Sequence, residues 1–352
     1  MTTGSSSTGA AVTASRESGD VILRINGLKT HLHTKAGTVR AVDGVDLELR
    51  QGETLGIVGE SGSGKTMLAL SILQLLPKPA GRIVAGSVSL AGEELSTKSE
   101  SEMAEVRGKR IAMILQDPHT SLNPVYRIGD QIAEAVAIHG QLDNWRKIRS
   151  RVVDLLKRVG IADPDRRTSD YPHQMSGGMK QRVVGAIAIS CTPDVIIADE
   201  PTTALDLTIQ SQYLRLLRDI QNDTGVAIIF ITHDFGIVAK MCSSVAVMYS
   251  GKIVERGSVR SIFNHPSHPY TDSLMKSVPK VEEEVERLFS ISGQPPSPGS
   301  RITGCPFAPR CTYADDRCRD QYPPTFSGLS GSNDHHADCW RLEDPSWKPR
   351  AS

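Results

Sequence analysis

The sharpest chemical information in this chain is a run of eight residues, Gly59-Glu60-Ser61-Gly62-Ser63-Gly64-Lys65-Thr66. It fits the pattern G-x-x-x-x-G-K-[ST], with an apolar run before it and a helical pattern after it. Glycines let such a loop close tightly around phosphates. Successive backbone N–H groups and the following helix N-terminus present partial positive charge to the nucleotide, Lys65 neutralises the β- and γ-phosphates, and the Thr66 hydroxyl ligates magnesium. All eight residues are therefore candidates for holding ATP.

Two further groups of residues suit the same chemistry. Asp199 and Glu200 close the apolar run Val195-Ile-Ile-Ala198, which puts two carboxylates at the edge of a sheet. Asp199 would hold magnesium through water while Glu200 orients and activates the attacking water. Ser176-Gly177-Gly178 stands just before a helical stretch, where a hydroxyl and free N–H groups make a second phosphate-binding device. Each group alone is common: an acidic strand end is usually solvated, and Ser-Gly-Gly is an ordinary turn. Their weight comes from occurring with the loop.

Four of the six cysteines crowd the C-terminal end, Cys305, Cys311, Cys318 and Cys339, separated by five, six and twenty residues. With no export signal read at the N-terminus, clustered thiols suggest a metal rather than disulfides. Four thiolates could bind zinc or a 4Fe–4S cluster, although the gaps exceed those of common zinc pairs, and His335 and His336 keep zinc in play. Cys191 and Cys242 read as plain buried thiols.

The elements that must position these residues can be read around them. Val45, Leu47 and Leu49 alternate with Asp46, Glu48 and Arg50, so the stretch from Val21 to Arg50 is expected to form an antiparallel sheet with one wet face. A helix is expected from Met67 to Leu76, stopped by Pro77. Between about residues 118 and 190 the pattern is mainly helical: Val152, Leu155, Leu156 and Val159 recur at i, i+3, i+4 and i+7, and Gly160 closes them. Val195–Ala198 and Ala227–Ile231 read as buried parallel strands around a helix from Leu207 to Ile220, a βαβ core. Val245–Tyr249, Ser250-Gly251 and Ile253-Val254 read as a closing hairpin.

Composition bounds the rest. With 352 residues, 39% of them hydrophobic, the chain is long enough for one large α/β domain and a smaller appendage. Lys+Arg and Asp+Glu both number 40, so there is no broad basic field to favour nucleic acid as a partner. Residues 1–18 read as a disordered tail. Apolar runs such as Val226–Ile231 are far shorter than the roughly 20 residues that cross a bilayer, so any membrane role needs partners. Beyond Ser261 the composition shifts to Pro, His, Ser and Cys, with an acidic run at Glu282–Glu284. The expected divisions are 19–260 and 261–352, with a helical subdomain at about 118–190.

Taken together, the loop, Gln116 in Leu115-Gln-Asp-Pro118, Met175-Ser-Gly-Gly-Met179, Asp199-Glu200, Ala204-Leu-Asp206 and Thr232-His233-Asp234 resemble, in order and spacing, the motifs of ABC transporter nucleotide-binding domains. The resemblance covers roughly Val21 to Gly257. It implies an α/β fold: a P-loop NTPase (RecA-like) core with an antiparallel β subdomain and an inserted helical subdomain, followed by a small cysteine-containing C-terminal domain. It also implies an ATPase in which two domains pair head to tail around two ATP molecules. Gly59 to Thr66, Gln116, Asp199, Glu200 and His233 would serve one ATP, with magnesium on Thr66, Gln116 and Asp199. Glu200 and His233 would be catalytic, Ser176 to Gly178 would reach the partner's ATP, and Asp206 would link the two sites.

Met179, where most relatives carry Gln, and Asn264-His-Pro-Ser-His-Pro-Tyr-Thr-Asp-Ser-Leu274 with Val278-Pro279 resemble the dipeptide, oligopeptide and nickel importers. Similar tails hold an iron–sulfur cluster, which favours 4Fe–4S on the four cysteines, with zinc as the alternative. The implied partners are a paralogous ATPase subunit, two transmembrane permease subunits and an extracellular peptide-binding protein, with this chain peripheral on the cytoplasmic face of the inner membrane. A nickel or other small-solute importer, or a soluble ABC ATPase, is the alternative. The aromatic residue on which the family stacks adenine is missing; His31, Leu32 and His33 stand in that region, and the base contact is left unassigned.

Overall fold

A computed structural model of the chain describes residues 19–35, 37–139, 144–203, 205–277, 289–297, 299–344 and 346–347. The N-terminal tail, Ala204, Val278-Pro279 and the acidic run at Glu282–Glu284 lie outside them.

β1 (Val21–Thr34) and β2 (Gly37–Arg50) pair antiparallel, and Val45, Leu47 and Leu49 are buried while Asp46, Glu48 and Arg50 are exposed. That is the one-sided burial the alternation requires. β3 (Thr54–Val58) is buried at every position and leads through the glycine-rich loop into α1 (Lys65–Ile72). This helix ends short of the expected Leu76. Gln74 turns left-handed at φ 52°, and Leu75 N–H bonds the Leu70 carbonyl at 2.8 Å while Gln74 N–H bonds Ser71 at 3.1 Å. Such a Schellman arrangement stops a helix before Pro77 is reached.

β4 (Gly81–Leu90) and β5 (Glu93–Glu94) complete an antiparallel sheet in the order β2-β1-β4-β5. α2 (Glu100–Val106), with Ser99 and Glu102 in a capping box, precedes β6 (Ile111–Ile114). A helical stretch follows: α3 (Pro118–Ser121), α4 (Ile128–His139), α5 (Trp145–Arg158), α6 (Pro164–Arg167) and α7 (Gly177–Ala188). α5 buries Val152, Leu155 and Leu156, and Gly160 lies just beyond it at φ 73°.

β7 (Val195–Asp199), α8 (Leu207–Thr224), β8 (Ala227–Thr232), α9 (Phe235–Met241), β9 (Ser244–Tyr249) and β10 (Lys252–Ser258) complete the central part. β7 and β8 are parallel and β9–β10 is an antiparallel hairpin, as the sequence implies. Alternate side chains of β7 enter different cores: Val195 and Ile197 pack toward the antiparallel sheet and α1, Ile196 and Ala198 toward the helices.

The tail contributes α10 (Val259–Asn264), α11 (Pro269–Lys276), α12 (Asp316–Asp320), β11 (Phe326–Ser327) and β12 (His336–Ala337). β12 pairs with β10, so among the described residues one sheet runs β11-β12-β10-β9-β3-β8-β7-β6. The compositional break near Ser261 is therefore no break in the sheet. A buried carboxylate fastens the tail: Glu255 accepts the N–H groups of Ser267 (2.7 Å) and His268 (2.9 Å) and lies 2.9 Å from His335 Nε2. His335 Nδ1 meets Ser330 Oγ at 2.8 Å, and the ring is fully buried. Both ring nitrogens are engaged, so His335 does not serve as the zinc donor that its neighbourhood in sequence suggested.

Candidate nucleotide site

The strand order explains how distant residues meet. β3, β8, β7 and β6 are successive parallel neighbours, so their C-terminal ends lie side by side. The glycine-rich loop leaves β3, His233 follows β8, Asp199 ends β7 with Glu200 next, and Gln116 follows β6. This carboxyl edge is where open α/β sheets bind ligands.

There a cavity of about 690 Å³ is lined by Glu60, Ser61, Gly62, Gly64, Lys65, Thr66, Gln116, Glu200 and His233. Gly59, Ser63 and Asp199 are not part of this lining: the Gly59 carbonyl accepts from Lys65, and Ser63 and Asp199 are buried. Gly64 has φ 108°, and a Cβ there would overlap the Ala41 carbonyl oxygen, so the turn that starts α1 requires glycine. Lys65 is buried, and its ammonium donates to the carbonyls of Gly59 (2.8 Å) and Glu60 (3.0 Å). Burial pulls its pKa below the usual lysine range, opposed by Glu200, Asp199 and Glu60.

Asp199 is 3% exposed. Burial raises its pKa, against a hydrogen bond from Thr66, and its Oδ1 is buried with no hydrogen-bond partner among the described residues. An orphaned carboxylate oxygen beside a hydroxyl suits a hard cation. Glu200 has a left-handed backbone at φ 45° and its N–H bonds the Ile231 carbonyl at 2.9 Å. Its carboxylate accepts from Gln116 Nε2 (3.2 Å) and Thr203 Oγ1 (3.0 Å) and lies 3.3 Å from His233 Nδ1. Strain of this kind, of order 1–3 kcal/mol, persists where surrounding bonds over-determine it.

Ser176, Gly177 and Gly178 do not line the cavity. Ser176 caps α7, accepting from Met179 N–H at 3.3 Å, and among the described residues nothing lies within 4 Å of where a Gly177 Cβ would be. A Cβ at Gly178 would come 2.7 Å from Ile209 Cγ2. Asp206 caps α8 through the N–H groups of Thr208 (3.0 Å) and Ile209 (2.9 Å).

Several residues on the wall or touching it were not legible as site residues. Val39 lines the cavity from the β1–β2 hairpin, beside Leu32 of the stretch where the base contact was left unassigned, and Pro296, Ser297, Gly299, Ser300 and Ile302 line it from the tail. Thr203, three residues beyond Glu200, and Tyr270 and Arg310, which touch Glu60, were likewise missed.

The four C-terminal cysteines line a second cavity together with Phe307, Pro323 and Trp340. Burial pushes the Cys305 and Cys339 thiols up to about 12 and raises those of Cys311 and Cys318. Among the described residues, no three His, Cys, Asp or Glu side chains are grouped to hold a metal ion.

Residues 42–203 match the ABC transporter family, and residues 254–318 match the oligopeptide/dipeptide transporter C-terminal region. The chain is 49% identical over 326 residues to a protein of Sinorhizobium fredii named "Probable peptide ABC transporter ATP-binding protein y4tR", covering 92% of this chain and 96% of that one. It is 46% identical over 302 residues to the dipeptide transport ATP-binding protein DppD of Escherichia coli, covering 86% and 92%. Among solved structures, the dimeric structure of MJ0796, a bacterial ABC transporter cassette, has a TM-score of 0.61 at 23% identity and covers 68% of this chain and 99% of its own.

Proposed function

Since the chain belongs to the ATP-binding subunits of the peptide ABC transporters, we propose that it hydrolyses MgATP to energise the import of di- or oligopeptides through membrane subunits carried on other chains. The carrying observation is the convergence of Lys65, Thr66, Gln116, Glu200 and His233 on one cavity, with Asp199 hydrogen-bonded to Thr66.

The residues fit magnesium. Asp199, Thr66 and Gln116 would hold the ion, which supplies charge neutralisation at the β- and γ-phosphates when bound. Lys65, now bonded to the carbonyls of its own loop, exchanges those bonds for phosphate oxygens. Glu200, held among Gln116, Thr203 and His233, orients the attacking water and takes its proton, and His233 faces the terminal phosphate. Phosphoryl transfer needs positioning and charge more than covalent help, and this wall supplies both.

Ser176 to Gly178 are proposed to complete the ATP site of a second subunit, with Asp206 at the interface between them. Their placement away from the chain's own cavity supports that reading. The second subunit is proposed to be a paralogous ATPase, alongside two permeases and an extracellular binding protein. No helix among the described residues is long and apolar enough to cross a membrane, which suits peripheral attachment at the cytoplasmic face of the inner membrane. Val125 (73% exposed) and Tyr126 (57%), in the segment after Gln116, offer apolar surface for docking permeases.

For the four cysteines we propose a structural 4Fe–4S cluster. Protein purified without oxygen should absorb in the visible and carry about four irons per chain; zinc alone, or no metal, removes the cluster. Transport itself is tested by extracting the complex in detergent and reconstituting it with its binding protein. ATP-dependent uptake of labelled peptide supports the proposal. Co-purification with ribosomes or DNA, or uptake of nickel chelate without peptide, overturns it.

A further inference from the structure

We propose that Arg310 is a positioning residue for the phosphate-binding loop, acting through Glu60. The inference rests on ATP occupying that loop. Arg310 belongs to the tail, in the segment between Cys305 and Cys311, yet its guanidinium forks onto the Glu60 carboxylate at 2.6 Å and 3.0 Å. Its side chain is only 4% exposed, and its remaining donors are used: Nε on the Ser292 carbonyl (3.1 Å), one terminal nitrogen on Tyr249 Oη (3.3 Å) and the other on the Ile291 carbonyl (3.4 Å). The Glu60 N–H donates to Tyr270 Oη at 2.8 Å. Glu60 is thus gripped at its main chain and its side chain by residues more than 200 positions further along.

The reason is electrostatic. A loop that holds a triphosphate carries an acid at its second position, and an unpaired carboxylate there would repel the ligand. The planar fork neutralises the acid and fixes its direction, which a point charge such as lysine does less well. The Glu60 carbonyl also receives the Lys65 ammonium at 3.0 Å, so the grip on Glu60 extends to the residue that must reach the phosphates.

The test measures MgATP affinity and steady-state hydrolysis of the full-length protein for wild type, Arg310→Ala, Arg310→Lys, Glu60→Gln/Arg310→Ala and, as a control for the loop itself, Lys65→Ala. Arg310→Ala should raise Kd and KM about tenfold, a loss moderated because the Glu60 side chain is 27% exposed, with kcat within about twofold. Arg310→Lys should fall between. The double variant should bind more tightly than Arg310→Ala, because the repelling acid is gone; a fold defect alone would not be repaired this way. Unchanged affinity in Arg310→Ala, or a double variant as weak as the single one, overturns the inference while leaving the ATP reading intact. Wild type that binds MgATP no better than Lys65→Ala removes the ATP reading and this inference with it.

Discussion

At the scale of single residues, the decisive position is Glu200. Its left-handed backbone and three side-chain partners hold one carboxylate toward the cavity. Glu200→Gln should keep MgATP binding and lower phosphate release by about a hundredfold or more, the contribution typical of a positioned base. Turnover within a few fold of wild type would show that another group activates water. Glu200 was legible in the sequence because the loop, the Asp-Glu strand end and His233 each carry their chemistry within a few consecutive residues. Arg310 and Tyr270 were not. Their meaning lies in pairing with Glu60, 250 and 210 residues away, and no local pattern encodes that separation.

Among the elements, the strand ends and the turns that leave them govern function. At Gly64, φ is 108° and the Ala41 carbonyl fills the place of a side chain. Gly64→Ala should therefore both weaken nucleotide binding and destabilise the fold by more than about 1 kcal/mol, read as a lowered urea midpoint with an unchanged slope. A stable Gly64→Ala that binds ATP normally would refute the need for that turn. Periodicity gave β1, β2, β7 and β8 correctly because alternate or continuous burial leaves a direct mark on residue type. It overran the end of α1, where a left-handed Gln74, a conformation usually left to glycine, closes the helix before the proline that seemed to.

Across the whole molecule, the tail is bound to the central sheet by β12, by Tyr270, Phe307 and Arg310 against Tyr249, and by one buried acid. Glu255 is 1% exposed and satisfies two backbone N–H groups and a histidine. Glu255→Ala should cost about 2–5 kcal/mol, because it strands several buried donors at once, and chemical denaturation would measure the loss. A change below about 0.5 kcal/mol would mean that the tail is held by its apolar contacts. The change in residue usage near Ser261 marks where the tail begins, and composition does not register that the chain later returns to hydrogen-bond β10.

One practical outcome concerns recombination between relatives. The acid on β10 belongs to the front part of the chain, while the amides and imidazole it satisfies belong to the back part. A tail spliced onto a host ATPase with a neutral apolar side chain at that strand position would arrive with buried polar groups and no acceptor. Hybrids cut between Ser258 and Ser267 should accumulate as soluble protein only when the host already supplies the carboxylate.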